Sequence, residues 1–225
     1  MQKPVWAGVI YYNDGPEMLE ICLKAVLACN IKIVAVDGAF KEFPHENHRS
    51  TDGCREIAKS LSTVHIEALP DRPWNDQAEK RNQYFQAIPI NDYCFVLDAD
   101  EVLRPFDATK IHFNKNIYRV MMHSDSAKKK EFSTIRVYRI YEDLRYLYQH
   151  CRLYRTTLHD PQRDMESGCV VSAHGPNNMI HPLLIDERGD RVFFDHFNHL
   201  RPEDRIKMKD EYYNKRQEAS MGYVR

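Results

Sequence analysis

Tyr93-Cys94-Phe95-Val96-Leu97-Asp98-Ala99-Asp100-Glu101 is the stretch whose reading decides the fold. An unbroken apolar run of this kind describes a strand buried on both faces, and carboxylates begin where it ends. In extended chain Asp98 and Asp100 project to the same side, about 6–7 Å apart. Two hard oxygen donors then face one point. Mg2+ or Mn2+ prefers oxygen ligands and keeps positions open for substrate phosphates, so Asp98 and Asp100 form a candidate metal pair. An isolated Asp-x-Asp also describes a solvated turn, and the surrounding chain has to decide between the two.

Upstream, Val5 to Tyr12 is a second apolar run, closed by Asn13-Asp14-Gly15-Pro16, and reads as a buried strand followed by a turn. From Glu17 to Cys29, Met18, Leu19, Cys22, Leu23, Val26 and Leu27 recur at three and four, the spacing of a helix with one face on a sheet. Ile31 to Val36 supplies another strand, ending at Asp37-Gly38. Strand, helix and buried strand in this order predict a right-handed parallel crossover, and ligands of such sheets bind beyond the carboxyl ends of the strands. Ser50, Thr51 or Asp52 is placed to cap a helix over Cys54 to Leu61, Val64 to Leu69 alternates as a strand, and Asn75 to Ile88 reads as a helix with a strongly polar side.

Downstream, Ile117 to Met122 and Thr134 to Tyr141 read as strands of a more antiparallel half. Lys128-Lys129-Lys130 marks an exposed loop between them. Val192 to His199 is strand-like and runs toward a helix over Pro202 to Ala219, which is expected to pack back on the sheet. The sequence therefore predicts a single α/β domain over 1–225. Its first half, 1–105, is a mostly parallel central sheet flanked by helices, and 106–225 is an antiparallel half with a C-terminal helix.

Composition narrows the class. Lys plus Arg number 32 against 33 Asp plus Glu, so no global field draws the protein onto a polyanion such as duplex DNA. No run of 18 apolar residues occurs, and Asn13, Asp14 and Gly15 interrupt the first apolar run too early for a signal peptide. A cytoplasmic protein without a transmembrane segment is expected. The six cysteines include no C-x-x-C pair and read as reduced core thiols.

Several segments together resemble the inverting family 2 glycosyltransferases of the GT-A nucleotide-diphosphosugar transferase fold. The first strand with its closing Asn13, the strand ending at Asp37, Ser50-Thr51-Asp52-Gly53, Trp74-Asn75-Asp76-Gln77 with Lys80-Arg81-Asn82, and Leu97-Asp98-Ala99-Asp100-Glu101 carry the resemblance over residues 5 to 105. Ile135-Arg136-Val137-Tyr138-Arg139 with Tyr146-Leu147-Tyr148-Gln149-His150 is similar to the acceptor-side hairpin of that family. The resemblance implies metal-dependent transfer of a sugar from a nucleoside-diphosphate donor, a UDP-sugar above all, to an acceptor hydroxyl. Tyr11, Asn13, Asp37, Trp74, Gln77, Lys80, Arg81, Asp98 and Ala99 would then line the donor site, with Asp37 at the base and Lys80 and Arg81 offsetting diphosphate charge. Asp98 and Asp100, completed by His196 or His199, would hold Mn2+ or Mg2+. The general base would come from His150, Asp164 or Glu166, or from Asp160.

Two departures stand out. Gly38 to Arg49 is an insertion where many members join the Asp directly to S-T-D-G, and His150 is followed by Cys151 where relatives often carry His-Glu. The acceptor stays open among a glycan, a lipid-linked sugar, a protein side chain and a modified nucleic-acid base. Two rival readings keep the fold or part of it: a nucleotidyltransferase, against which no G-x-G-T-R-type loop follows the first strand, and a non-catalytic nucleotide-sugar-binding or scaffold protein.

Overall fold

The computed structural model describes residues 4–124, 131–147, 152–155, 182–197, 202–204, 206–208 and 210–212. Its first half alternates strands and helices: β1 (Val5–Tyr11), α1 (Pro16–Ala28), β2 (Lys32–Asp37), α2 (Cys54–Leu61), β3 (Val64–Glu67), α3 (Gln77–Ala87) and β4 (Tyr93–Asp98). Strands follow in the second: β5 (Glu101–Leu103), β6 (Ile117–Ser124), β7 (Glu131–Arg139), β8 (Leu144–Leu147), β9 (Arg152–Arg155) and β10 (Phe193–His196). Eight strands form one mixed sheet in the order β3-β2-β1-β4-β7-β6-β10-β5, and β8 pairs with β9 separately.

β3, β2, β1 and β4 run parallel, β7 is antiparallel to both β4 and β6, and β10 is parallel to β6 and antiparallel to β5. The sheet is thus mostly parallel and mixed toward its second half, as the apolar runs predict. Register places Tyr11 beside Asp37 and Ile10 beside Asp98, so the strand ends that carry the candidate residues line up along one edge.

β1 is buried along its whole length because both faces of the sheet are covered. Val5, Ala7, Val9 and Tyr11 share a core with Leu19, Cys22, Leu23 and Val26 of α1 and with Cys54 and Ala58 of α2. Trp6 and Ile10 belong to the opposite core, with Ala78, Tyr84 and Phe85 of α3. This alternation of period two follows from the pleat. The chain leaves β1 toward β2 on one side and returns to β4 on the other, which puts α3 on the opposite face from α1 and α2 and opens a switch point at the carboxyl ends of β1 and β4.

The sheet has to curl. Asp98 and Glu101 are three residues apart, a reach of at most about 11 Å. In hydrogen-bonding order, however, β4 and β5 are separated by four strand spacings, about 19 Å in a flat sheet. Curling brings edge strand β5 and its neighbour β10 back beside the end of β4. Ala99 and Asp100 form the turn that makes the step, so Asp98-Ala99-Asp100 is not the extended segment read from the sequence.

Helix starts differ slightly from expectation. Gly53, in the left-handed region at φ 95°, occupies the position before α2, and Asp52 serves the helix by accepting from Cys54 N at 3.1 Å. Asp76 caps α3 by accepting from Glu79 N at 2.7 Å. The C-terminal residues that are described dock on a loop instead of on the sheet: Tyr212 packs against Phe40 and Phe43, with ring centroids 5.5 Å from each. Cys22, Cys29, Cys54 and Cys94 are free and buried. Among the described residues no helix is long and apolar enough to cross a membrane.

Candidate active site

Asp98 ends β4 about one-third exposed, and Arg81 of α3 donates from Nη2 to its Oδ1 at 2.6 Å. The Arg81 guanidinium also lies 5.7 Å from the ring of Tyr146, so a planar cation is held between a carboxylate and an aromatic face. Asp100, two residues on, is fully buried, and its Oδ2 lies 3.1 Å from Nε2 of His196 on β10. The two aspartates have different partners because the turn between them swings Asp100 toward the returning edge of the sheet.

Register explains why His196 arrives there. His196 is paired with Ser124 of β6 on one side and with Glu101 of β5 on the other, and paired residues in neighbouring strands present their side chains to the same face. Its Nδ1 lies 3.3 Å from Ser124 Oγ. The next residue back, Asp195, faces the other way and binds Arg104 through two bonds of 2.9 and 2.7 Å and His123 at 3.3 Å.

Glu101 is buried beneath this row. Its Oε2 accepts from Asp98 N at 2.9 Å and its Oε1 from Nη2 of Arg136, contributed by β7. Burial pushes the Glu101 carboxyl well above its usual range; Arg136 opposes that shift, and the charges of Asp98 and Asp100 add to it. Two arginines, three carboxylates and a histidine therefore converge where β4, β5, β7 and β10 meet.

The base-side residues are placed differently from expectation. Asp37 is fully buried, and its carboxylate accepts Ser50 Oγ at 2.5 Å and Ser50 N at 3.1 and 3.2 Å. Burial raises its carboxyl, with Ser50 and Lys80 pulling it back down. As placed, Asp37 anchors the Ser50 loop to β2. Lys80 is 3% exposed and donates to the carbonyl oxygens of Tyr11 and Gly38, each at 2.6 Å. The expectation that Lys80 faces a diphosphate does not describe this geometry: its ammonium joins the carboxyl ends of β1 and β2, where Tyr11 O also accepts from Gly38 N at 3.3 Å.

Asn13, in the left-handed region at φ 48°, donates from N to Ser50 Oγ at 3.0 Å and accepts from Thr51 N at 2.8 Å. Tyr11 is buried with its hydroxyl 2.7 Å from His65 Nε2, Trp74 donates to Asp37 O at 2.8 Å, Gln77 opens α3 and Ala99 lies buried in the turn. Tyr11, Asn13, Asp37, Trp74 and Lys80 are thus linked around the carboxyl ends of β1 and β2, while Arg81 joins Asp98 at the end of β4. His150, Asp160, Asp164, Glu166, His199 and the lysine run lie outside the described residues.

The donor chemistry suits a hard or borderline cation. Neighbouring donors around an octahedral ion bound at 2.0–2.1 Å are about 3 Å apart, close to the Asp100–His196 separation of 3.1 Å. Asp98 is engaged by Arg81, and among the described residues no three His, Cys, Asp or Glu side chains form a ligand cluster. Asp100 and His196 form a pair at this strand end with donor atoms at such a spacing, and Asp98 lies two residues from Asp100. Glu101 and Arg136 stand in the motifs quoted above, but the sequence assigns no role in the site to them or to Ser124. Glu101 reaches Asp98 N across the local turn, whereas the places of Ser124 and Arg136 depend on strand register across the curled sheet, for which the chain carries no local signal.

No family model matches the chain, and no curated protein matches it.

Proposed function

We propose that the protein is a metal-dependent, inverting glycosyltransferase of GT-A type, moving a sugar from a nucleoside-diphosphate donor, a UDP-sugar above all, to an acceptor hydroxyl. The observation that carries this reading is the Asp100–His196 contact beside the carboxyl end of β4, where Arg81 holds Asp98, next to the switch point between β1 and β4. In open α/β sheets that crevice is where ligands bind.

Asp100 and His196 would hold Mg2+ or Mn2+, which supplies Lewis-acid stabilisation of the charge on a leaving diphosphate. Arg81 offers a second positive group at the same end of the site, and its bond to Asp98 keeps the guanidinium oriented before substrate arrives. Glu101 and Arg136 form the floor that fixes Asp98 through its backbone N–H. The curl of the sheet encloses these charges, which strengthens each interaction relative to open water.

The test is a screen of UDP-, GDP- and dTDP-sugars by thermal shift with and without Mn2+, followed by turnover assays of Asp100→Ala. A metal-dependent rise in melting temperature with one donor, lost in the variant, supports the reading. Turnover by Asp100→Ala at the wild-type rate, or undiminished turnover in excess chelator, removes it.

A further inference from the structure

Ser124 closes β6 at the position paired with His196 in β10, and it is buried. The imidazole lies between two oxygens, with Nδ1 3.3 Å from Ser124 Oγ and Nε2 3.1 Å from Asp100 Oδ2. These two contacts are chemically unequal. A carboxylate only accepts, whereas a hydroxyl both donates and accepts. A neutral ring that bonds Asp100 through Nε2–H leaves Nδ1 as an acceptor for the Ser124 O–H. When Nε2 gives its lone pair to a cation, the ring proton has to reside on Nδ1, and Ser124 Oγ must accept it.

From this we infer that Ser124 is a positioning residue for the metal site: its hydroxyl holds the His196 ring in one orientation through both tautomers, reversing its own role from donor to acceptor when a cation takes Nε2. The inference rests on the metal-dependent reading above. The reversal moves one ring proton from Nε2 to Nδ1 with no net change in charge. Register makes Ser124 suited to the task, because a residue paired with His196 in a neighbouring strand stays beside the ring however the loops around the site move. Partners of this kind, beyond the ligands themselves, typically alter metal affinity by 10- to 100-fold when removed.

Two measurements on the full chain decide it. The first is Mn2+ binding followed by electron paramagnetic resonance titration in wild type, Ser124→Ala and Ser124→Thr, with thermal midpoints confirming that each is folded. The inference expects Ser124→Ala to bind Mn2+ about tenfold more weakly, and Ser124→Thr, which keeps the hydroxyl, to stay within about threefold of wild type. The second is a long-range proton–nitrogen spectrum of 15N-histidine protein, with the His196 ring assigned by loss of its signals in His196→Gln. The ring should be protonated on Nε2 without metal and on Nδ1 with the diamagnetic ion Zn2+.

Wild-type affinity in Ser124→Ala, or a metal-free ring protonated on Nδ1, overturns the inference alone. Failure of the wild-type protein to bind Mn2+ at all overturns the metal-dependent reading and this inference with it. The spectroscopic measurement does not depend on any serine variant folding.

Discussion

Lys80 Nζ donates to the carbonyl oxygen of Tyr11 at 2.6 Å, so a buried ammonium on α3 ties down the carboxyl end of β1. Gly38 O takes a second bond at the same distance, joining the end of β2 to the same charge. Lys80→Met would leave both carbonyls without this donor, and charged hydrogen bonds contribute roughly 1.5–3 kcal/mol each. A loss of about 3 kcal/mol in urea denaturation is expected, with nucleotide affinity of the folded variant near wild type. On the proposed donor-binding reading, Arg81→Gln should behave oppositely, keeping most stability while weakening donor binding by at least about tenfold, a loss of one charge-assisted contact.

Gly8 lies under the ring of Tyr84, where a β-carbon would sit 2.4 Å from Tyr84 Cγ. Tyr84 is fully buried beside Phe85 and Tyr146 and has no free path of retreat. Gly8→Ala is expected to cost about 2–3 kcal/mol through overpacking, read as a lowered denaturation midpoint.

Acid should weaken the protein through Glu67. Burial alone would raise its carboxyl, but Lys59 and Arg55 outweigh that effect and hold it down at about 2. Its ordinary value is 4.5, so the folded state binds this proton less readily than the unfolded one. The resulting stabilisation, about 3 kcal/mol at most, is complete above about pH 5 and disappears as pH falls through the range from 4.5 to 2. Glu67→Gln should flatten the acid limb of the stability profile; an unchanged limb would assign acid sensitivity elsewhere.

Asn82 grips the backbone of Tyr146 twice, accepting from its N–H at 2.7 Å and donating to its carbonyl oxygen at 3.0 Å. The bonds fasten β8 to α3 and hold the Tyr146 ring against Phe85 at 5.3 Å. Asn82→Ala should cost about 1–3 kcal/mol, because two backbone groups lose their partner. Hydrogen exchange at the Tyr146 amide should rise accordingly.

Much of the fold is legible in the residue pattern. The continuous apolar runs at Val5 to Tyr11 and Tyr93 to Leu97 announce strands covered on both faces, and the spacing of Leu19, Cys22, Leu23 and Val26 announces the helix that covers one of them. These signals are local: the period of an element is written within a few residues, and burial on one or both sides sets which positions must be apolar. The same pattern brings Asp98 to the carboxyl end of a strand, and with it half of the candidate site.

Register and curl belong to the tertiary structure alone. That Asp100 leaves the extended path, that Lys80 turns inward to two carbonyls instead of outward, and that Ser124, His196 and Glu101 form one row are consequences of strands far apart in sequence meeting edge to edge. A strand's composition states that it will pair, and on which face it is apolar. Which partner it finds, and at what offset, is decided by the closure of the whole sheet over its two cores, and the polar ends of β4, β5, β6 and β10 carry no hydrophobic pattern from which that offset can be read.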